Sequence, residues 1–136
     1  AERFLSARQA EAVDTGSILR LFSSPLGKRI MSADARKREF KFSLLCPAEK
    51  FFPGGEGESV LMQGVIDCMI EEAGELTIID YKTDRVSSDA AVERAQTYSK
   101  QLEAYAYAAQ RMTGKPVREC VLYFLYSGET VKSSCK

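Results

Sequence analysis

QGVIDCMIEEAGELTIIDYK, residues 63–82, is the stretch that decides the fold. It joins two apolar runs, 59–70 and 76–82, which have the composition and length of β-strands. Between them lies a short polar segment, 71–75, whose glycine and small size favour a tight turn. The stretch therefore predicts an antiparallel hairpin in a sheet.

The position of the turn sets the register of this hairpin. If the turn is centred between Ala73 and Gly74, paired residue numbers sum to 147, and Asp67 lies opposite Asp80. Paired residues have Cβ atoms roughly 4.5 to 5.5 Å apart, so two carboxylates there repel each other unless a cation lies between them. Because side chains alternate along a strand, Lys82 shares the face of Asp80. A slip of one residue would send Asp67 to the opposite face.

Two carboxylates and one ammonium at the end of a central hairpin are the groups that phosphodiester hydrolysis needs. The carboxylates offer hard oxygen ligands for Mg²⁺, the ion polarises a phosphate and lowers the pKa of bound water, and a fixed lysine orients that water or stabilises developing charge. A lone Asp-x-Lys is more often a surface ion pair. The second aspartate in register and the apolar residues around it favour a metal-dependent site at Asp67, Asp80 and Lys82.

The segments before the hairpin predict helices followed by a strand. Residues 6–13 have helical composition, and Thr15 is a suitable N-cap for a second, short helix. Pro25 and Gly27 are expected to interrupt that helix, and a further turn is expected around residues 28–31. From Glu39 onward, apolar and polar residues alternate as in a half-buried strand, although periodicity does not show whether Glu39 itself faces the metal.

A long helix and a last strand are expected after the hairpin. The helix would start near Ser87 and continue through Met112 until Gly114 ends it. Its apolar stripe consists of Val92, Ala95, Leu102, Ala106 and Ala109. Residues 117–126 are apolar on both faces, which indicates a central strand between layers of helices.

Three polar residues of the long helix, Tyr98, Gln101 and Tyr105, recur at spacings of three and four and therefore share one face. The amide of Gln101 can bond the lysine, a metal-bound water or a DNA phosphate. Either tyrosine suits a core position with a satisfied hydroxyl as well as a place in the lining of the site.

The composition fits one soluble domain without a membrane partner. The 136 residues are 45% hydrophobic and 28% charged, and no apolar run or leader suggests a membrane span or secretion, so a cytoplasmic location is expected. Nineteen basic and nineteen acidic residues cancel, so local groups or a larger parent protein must hold any DNA. A basic stretch, 28–41, could touch a DNA backbone, although a solvated face suits most of it. The four ungrouped cysteines favour buried free thiols.

The motifs together resemble those of a known family. Residues 63–67, 78–84 and 101–105 look like the G-x-x-D, D-Y-K-T and Q-x-x-x-Y motifs of RecB-family nucleases, which are PD-(D/E)XK enzymes. More narrowly, most of the chain is similar to the C-terminal nuclease domain of AddA-type subunits of bacterial AddAB helicase-nucleases. The combination is specific, whereas each motif alone is not. The resemblance implies an α/β, restriction-endonuclease-like core with a central mixed sheet flanked by helices, as a single domain over residues 1–136.

The resemblance also implies roles for individual residues. These are Asp67, Asp80 and the backbone carbonyl of Tyr81 as ligands of Mg²⁺ (with Mn²⁺ as a substitute), Lys82 and Gln101 as catalytic residues, and Tyr105 in the site lining. It implies an exonuclease acting on DNA in a parent protein with ATP-hydrolysing helicase domains and an AddB-like partner subunit, which processes double-strand breaks for recombinational repair. Relatives carry an upstream histidine ligand, but this sequence has no histidine. An N-terminally truncated fragment with an incomplete metal site and weak or absent activity is therefore expected.

Two other interpretations stay open. A nuclease-fold module that has lost catalysis and serves DNA binding or subunit docking agrees with the zero net charge and the missing histidine. The intact set of Asp67, Asp80 and Lys82 favours an enzyme instead. A stand-alone CRISPR-associated or phage-type exonuclease is disfavoured, because related enzymes with iron–sulfur clusters have grouped cysteines, which this chain lacks.

Overall fold

A computed structural model describes residues 15–51 and 53–133, which form a five-stranded mixed sheet between two layers of helices. The elements are α1 (Thr15–Ser23), α2 (Pro25–Ser32), β1 (Ala35–Pro47), a 3-10 turn (Ala48–Lys50), β2 (Ser59–Glu72), β3 (Glu75–Lys82), α3 (Ser88–Gln96), α4 (Ser99–Thr113), β4 (Val117–Phe124) and β5 (Glu129–Ser133). The strands lie in the order β1-β2-β3-β4-β5; β3 and β4 pair in parallel, and the other pairs are antiparallel. The predicted α/β fold with a central mixed sheet is confirmed. The helix predicted at 6–13 lies outside the described residues.

The β2–β3 hairpin has the register that its turn predicted. Backbone pairs run from Glu72↔Glu75 to Cys68↔Ile79, so the paired numbers sum to 147. The two residues of the turn have φ angles of 53° and 80°, the left-handed conformation that a two-residue type I′ turn requires. The local sequence thus fixes how β2 and β3 face each other.

The two faces of the sheet are covered by different helices. Ile78 of β3 and Leu122 of β4 are buried beneath α3 and α4, whereas Ile79 and Val121 are buried beneath α1 and α2. Because β4 is apolar on both faces and lies inside the sheet, its predicted central position is confirmed. In the part of the chain that the structure describes, no helix combines the length and the apolar character needed to cross a bilayer.

In both β1 and β2, the set of alternate side chains that faces α3 and α4 changes at one position. This position is Glu39 in β1 and Asp67 in β2. In β2, both Ile66 and Met69 contact the core under α3 and α4, which strict alternation does not allow. The β1–β2 register is the same on both sides of Glu39, yet Glu39 and Asp67 do not form a ladder pair, and Glu39 has a φ of 51°. Because both strands change face at the same position, the residue pairing between them stays in the same register. Asp67 is the residue at which β2 changes face.

The predicted interruption of the first helix is confirmed at Pro25, because α1 ends at Ser23, and the further turn predicted at 28–31 lies in α2. Gly27 does not interrupt a helix. Instead, α2 begins at Pro25, and the Ser24 side chain caps it by accepting a hydrogen bond from the Gly27 backbone N–H at 3.0 Å. Gly27 lies inside α2 because α1 passes so close that a Cβ there would lie 2.0 Å from the carbonyl oxygen of Leu21. The glycine marks a contact between helices rather than a helix end.

The single long helix is also wrong, because α3 and α4 are separated at Thr97 and Tyr98. The Thr97 hydroxyl donates to the Arg94 carbonyl at 2.7 Å, and Tyr98 has φ −102° and ψ 2°, which is not helical. The break rotates α3 relative to the predicted stripe, so that Val92 is 61% exposed while Ala91 is buried. The end of α4 at Gly114, with φ 74°, is as predicted.

The last strand and the cysteines add two further corrections. β5 was not predicted, because Val131 is its single apolar residue. Cys46 and Cys68 are buried free thiols, in agreement with the sequence. Cys120, which pairs with Ser133 of β5, is disulfide-bonded, so the free-thiol prediction is wrong there.

We expect Gly27→Ala to lower the free energy of unfolding by about 2 to 3 kcal/mol, because the added methyl group must push α1 away from α2. The midpoint of urea unfolding measures this change. Lys28→Ala, at the neighbouring exposed position of α2, serves as the control and should stay within about 0.5 kcal/mol of the parent chain. Equal midpoints for both variants would contradict the tight contact.

Candidate active site

Asp67 lies where the backbone ladder between β2 and β3 stops. The last ladder pair is Cys68↔Ile79. One residue further, Asp67 Oδ2 accepts a hydrogen bond from the Tyr81 backbone N–H at 2.9 Å. The carboxylate thus takes the place of a strand carbonyl as the partner of that N–H. This brings the Asp67 carboxylate to the main chain of β3, beside Asp80.

Asp80 is 4% exposed and forms an ion pair with Lys82, whose Nζ lies 2.6 Å from Asp80 Oδ2. Burial, followed by the neighbouring Asp67 carboxylate, raises the pKa of Asp80 to about 7, while Lys82 opposes that shift. Among the described residues, no donor makes a well-directed hydrogen bond to this buried Oδ2. The fold therefore holds two repelling carboxylates side by side, with one cation as partial compensation.

A chain of polar contacts extends from Lys82 to α4. Lys82 Nζ donates to Gln101 Oε1 at 2.9 Å, and Gln101 Nε2 donates to the Tyr105 hydroxyl at 3.1 Å. Burial, with the Asp80 and Asp67 charges, raises the pKa of Tyr105 to about 12, so its hydroxyl stays protonated. The structure thus brings Asp67, Asp80, Lys82, Gln101 and Tyr105 into one connected group.

Gly64 allows this group to pack against β2. A Cβ at Gly64 would lie 2.8 Å from Phe42 Cζ and 3.3 Å from Tyr105 Cε1. The Phe42 and Tyr105 rings meet edge to face, with centroids 5.8 Å apart at 78°. The glycine of the G-x-x-D segment therefore provides the space in which the Tyr105 ring lies.

A second contact group includes Asp84, which sequence reasoning did not single out. Tyr98 donates its hydroxyl hydrogen to Asp84 Oδ2 at 2.7 Å, and Arg94 lies 3.4 Å from the same oxygen. Lys82 Nζ lies 4.0 Å from the centroid of the Tyr98 ring. The available signal for Asp84 was its place two residues after Lys82 in the D-Y-K-T-D segment.

Other predicted residues lie apart from this group. Glu39 is exposed, and its left-handed backbone takes it out of the ladder opposite Asp67. The Tyr81 side chain is 2% exposed and packs in the core under α1 and α2; its backbone N–H, rather than its side chain, reaches the site. In the basic stretch, Arg29 is paired with Glu72 at 2.6 Å and Glu119 at 2.8 Å at the other end of the strands.

The carboxylates fit part of the ligand set of a hard divalent cation. In residues 15–51 and 53–133, no group of three or more His, Cys, Asp or Glu side chains is placed to hold a metal ion. Asp67 and Asp80 nevertheless present adjacent carboxylate oxygens, and the buried Asp80 Oδ2 lacks a directed hydrogen bond. Mg²⁺ is commonly bound through one or two carboxylates, with water or substrate phosphates completing its octahedron.

Comparison with protein families agrees with this geometry. A family model described as the PD-(D/E)XK nuclease superfamily matches residues 2–134. The chain belongs to this superfamily. It is similar to proteins named as subunits of ATP-dependent helicase/nucleases, with 41% identity over 127 residues in Carboxydothermus hydrogenoformans, 38% over 128 residues in Desulforudis audaxviator and 37% over 141 residues in Bacillus cereus. These alignments cover 92–96% of this chain but 10–11% of each relative, so the chain spans about a tenth of their length.

We expect Asp80→Asn to stabilise the chain by about 1 to 2 kcal/mol at pH 8 in the presence of a chelator. The amide keeps the shape of the side chain but removes the buried charge of two adjacent carboxylates, at the cost of the Lys82 ion pair. Because the pKa of Asp80 is raised, the stability of the parent chain should fall as pH rises from about 4 to 7. The advantage of the variant should therefore disappear near pH 4.

Urea unfolding at pH 4 and pH 8 measures both effects. Asp89→Asn, at an exposed position in the first turn of α3, is the control and should show no comparable gain. A loss of more than about 1 kcal/mol in Asp80→Asn at pH 8 would mean that the Lys82 ion pair outweighs the carboxylate repulsion.

Proposed function

We propose that this chain is a metal-dependent deoxyribonuclease domain that hydrolyses phosphodiester bonds as an exonuclease. The observation that carries the proposal is a pair of adjacent carboxylates, the buried Asp80 and the half-buried Asp67, with the Lys82 ammonium 2.6 Å from Asp80. Membership of the PD-(D/E)XK nuclease superfamily supports the same reaction class. Other folds use buried aspartates in other ways, but this combination fits attack on a phosphodiester.

In this proposal Asp67 and Asp80 hold Mg²⁺, which Mn²⁺ can replace, and the Tyr81 backbone carbonyl is a further ligand. The cation supplies Lewis-acid chemistry: it neutralises phosphate charge and lowers the pKa of water. Lys82 orients the attacking water or stabilises the charge that develops on the phosphoryl oxygens. Because both ends of the Gln101 amide are engaged, by Lys82 and by Tyr105, Gln101 acts by holding the ammonium in place.

We further propose that this domain works inside a larger helicase-nuclease. The relatives named as subunits of ATP-dependent helicase/nucleases support this assignment. Helicase domains that hydrolyse ATP, together with an AddB-like partner subunit, would then deliver DNA ends during the repair of double-strand breaks by recombination. The zero net charge of the chain supports such delivery, since the domain has no excess positive charge of its own to attract DNA.

A nuclease-fold module without catalysis is the second candidate function. Two observations favour it: the sequence has no histidine, and no group of three acidic, His or Cys metal ligands is found in the described part of the chain. In that case the chain would bind DNA or a partner protein and leave DNA intact.

Cleavage of end-labelled linear single-stranded DNA with Mg²⁺ or Mn²⁺ tests the proposal. We expect the unsubstituted chain to cleave, although weakly because it has no histidine ligand. Asp80→Asn and Lys82→Ala should each lower kcat about 100-fold or more, because each removes a group that acts on transition-state charge. Asp89→Asn should keep the parent rate. DNA binding without cleavage by the parent chain in either metal would support the inactive module instead.

Metal binding can be measured independently of cleavage. We expect about 5 mM Mg²⁺ to raise the melting temperature of the parent chain, because a ligand that binds the folded state stabilises it. The same addition should have little effect on Asp80→Asn, which retains one carboxylate of the pair. Equal shifts in both proteins would place the bound cation elsewhere.

A further inference from the structure

Among residues 15–51 and 53–133, three groups surround the Lys82 ammonium, and the proposed function uses two of them. Asp80 Oδ2 lies 2.6 Å away and Gln101 Oε1 lies 2.9 Å away. The third is the face of Tyr98, whose ring centroid is 4.0 Å from Nζ. That distance is well within the roughly 6 Å over which an ammonium is attracted to an aromatic face.

Tyr98 reaches this position because the helix is broken beside it. It precedes α4 with a non-helical backbone, and its hydroxyl donates to Asp84 Oδ2 at 2.7 Å. Asp84 follows β3 by two residues, so the hydrogen bond ties the break between α3 and α4 to the segment that carries Lys82. Arg94 contacts the same carboxylate oxygen at 3.4 Å.

We propose that Tyr98 is a positioning residue for Lys82, and that Asp84 orients the Tyr98 ring over the ammonium. The proposal rests on the proposed function, in which Lys82 acts on the phosphodiester. It assigns to Asp84 and Tyr98 a task that neither the cleavage chemistry nor a metal ligand set requires.

The physical basis is electrostatic. The face of an aromatic ring carries negative potential, and a phenol that donates its proton to a carboxylate becomes richer in electrons, which strengthens its attraction for a cation. Burial, followed by the Asp84 contact, raises the pKa of Tyr98 to about 12, so the hydroxyl remains a donor at neutral pH. The same hydrogen bond restricts rotation of the ring.

The arrangement also makes the location of the ammonium less dependent on Asp80. A carboxylate that coordinates a cation has less charge to offer to Lys82. The Tyr98 face and the Gln101 oxygen keep their attraction whether or not Asp80 is so engaged. Together they hold the ammonium at the site when its ion pair is weakened.

Nuclear magnetic resonance of the chain without metal tests the contact directly. We expect the ε-methylene protons of Lys82, assigned by comparison with Lys82→Arg, to resonate upfield of the other lysines because of the Tyr98 ring current. Tyr98→Leu should abolish that upfield shift, and Tyr98→Phe, which keeps the ring but loses the hydrogen bond to Asp84, should reduce it in part. Asp84→Asn should reduce it, since the ring is held less firmly. An unchanged Lys82 resonance in Tyr98→Leu would overturn the proposal.

Kinetics on linear single-stranded DNA test the consequence. We expect Tyr98→Leu to lower kcat about 3- to 30-fold with little change in KM, and Tyr98→Phe, which keeps the ring but not its hydrogen bond to Asp84, to restore part of the rate. In the Lys82→Ala background, Tyr98→Leu should cause no further loss, because the residue acts through the ammonium. An equal further loss in that background would show that Tyr98 acts by another route.

The matched control is Tyr107→Leu, in the helix α4 that Tyr98 precedes. Tyr107 also lies under a lysine, with Lys50 Nζ 4.9 Å from its ring centroid, but it is away from the carboxylate pair. The Tyr107→Leu substitution should leave kcat unchanged. If the parent chain cleaves no DNA, the proposed function fails while the Lys82 resonance still decides whether Tyr98 holds the ammonium.

Discussion

The hydrogen bond from the Tyr81 N–H to Asp67 Oδ2 is the interaction on which the rest of the site depends. A backbone N–H in a sheet normally pairs with a carbonyl of the next strand; here a side chain takes that role, and the ladder ends. The exchange brings a second carboxylate to the edge of β3, beside Asp80. Every other feature of the site either allows this placement or compensates for it.

The placement is unfavourable by itself, and the surrounding fold has to stabilise it. Ile78 and Ile79 are fully buried on opposite faces of β3, and β4 continues in parallel register past Asp80 to Lys82. Apolar burial of this kind contributes about 25 cal/mol per Å², which offsets a local penalty of a few kcal/mol. Sites in which like charges are forced together at the expense of stability are typical of functional positions.

Much of the fold could be predicted, because strong local patterns were involved. The register of the hairpin followed from a two-residue turn, and the central position of β4 followed from apolar residues on both of its faces. The failures came from contacts between different elements, which the local pattern of one element does not reveal. Gly27 has the character of a helix breaker, but it lies inside α2 where α1 passes beside it. The break at Thr97 and Tyr98 accompanies a hydrogen bond from Tyr98 to Asp84, which helix propensity does not report. Glu39 illustrates the limit of periodicity, since the face changes at that residue.

The hairpin ties the two aspartates together through five backbone pairs, Cys68↔Ile79 to Glu72↔Glu75, and one two-residue turn. Chain length can vary in the turn without moving one carboxylate relative to the other, because the pairs on either side keep their partners. A single residue inserted into one strand between Asp67 and the turn would shift that strand alone and carry its carboxylate away from Asp80. Residues can therefore be added or removed in the turn, but not in the paired strand segments on either side of it, without separating the two aspartates.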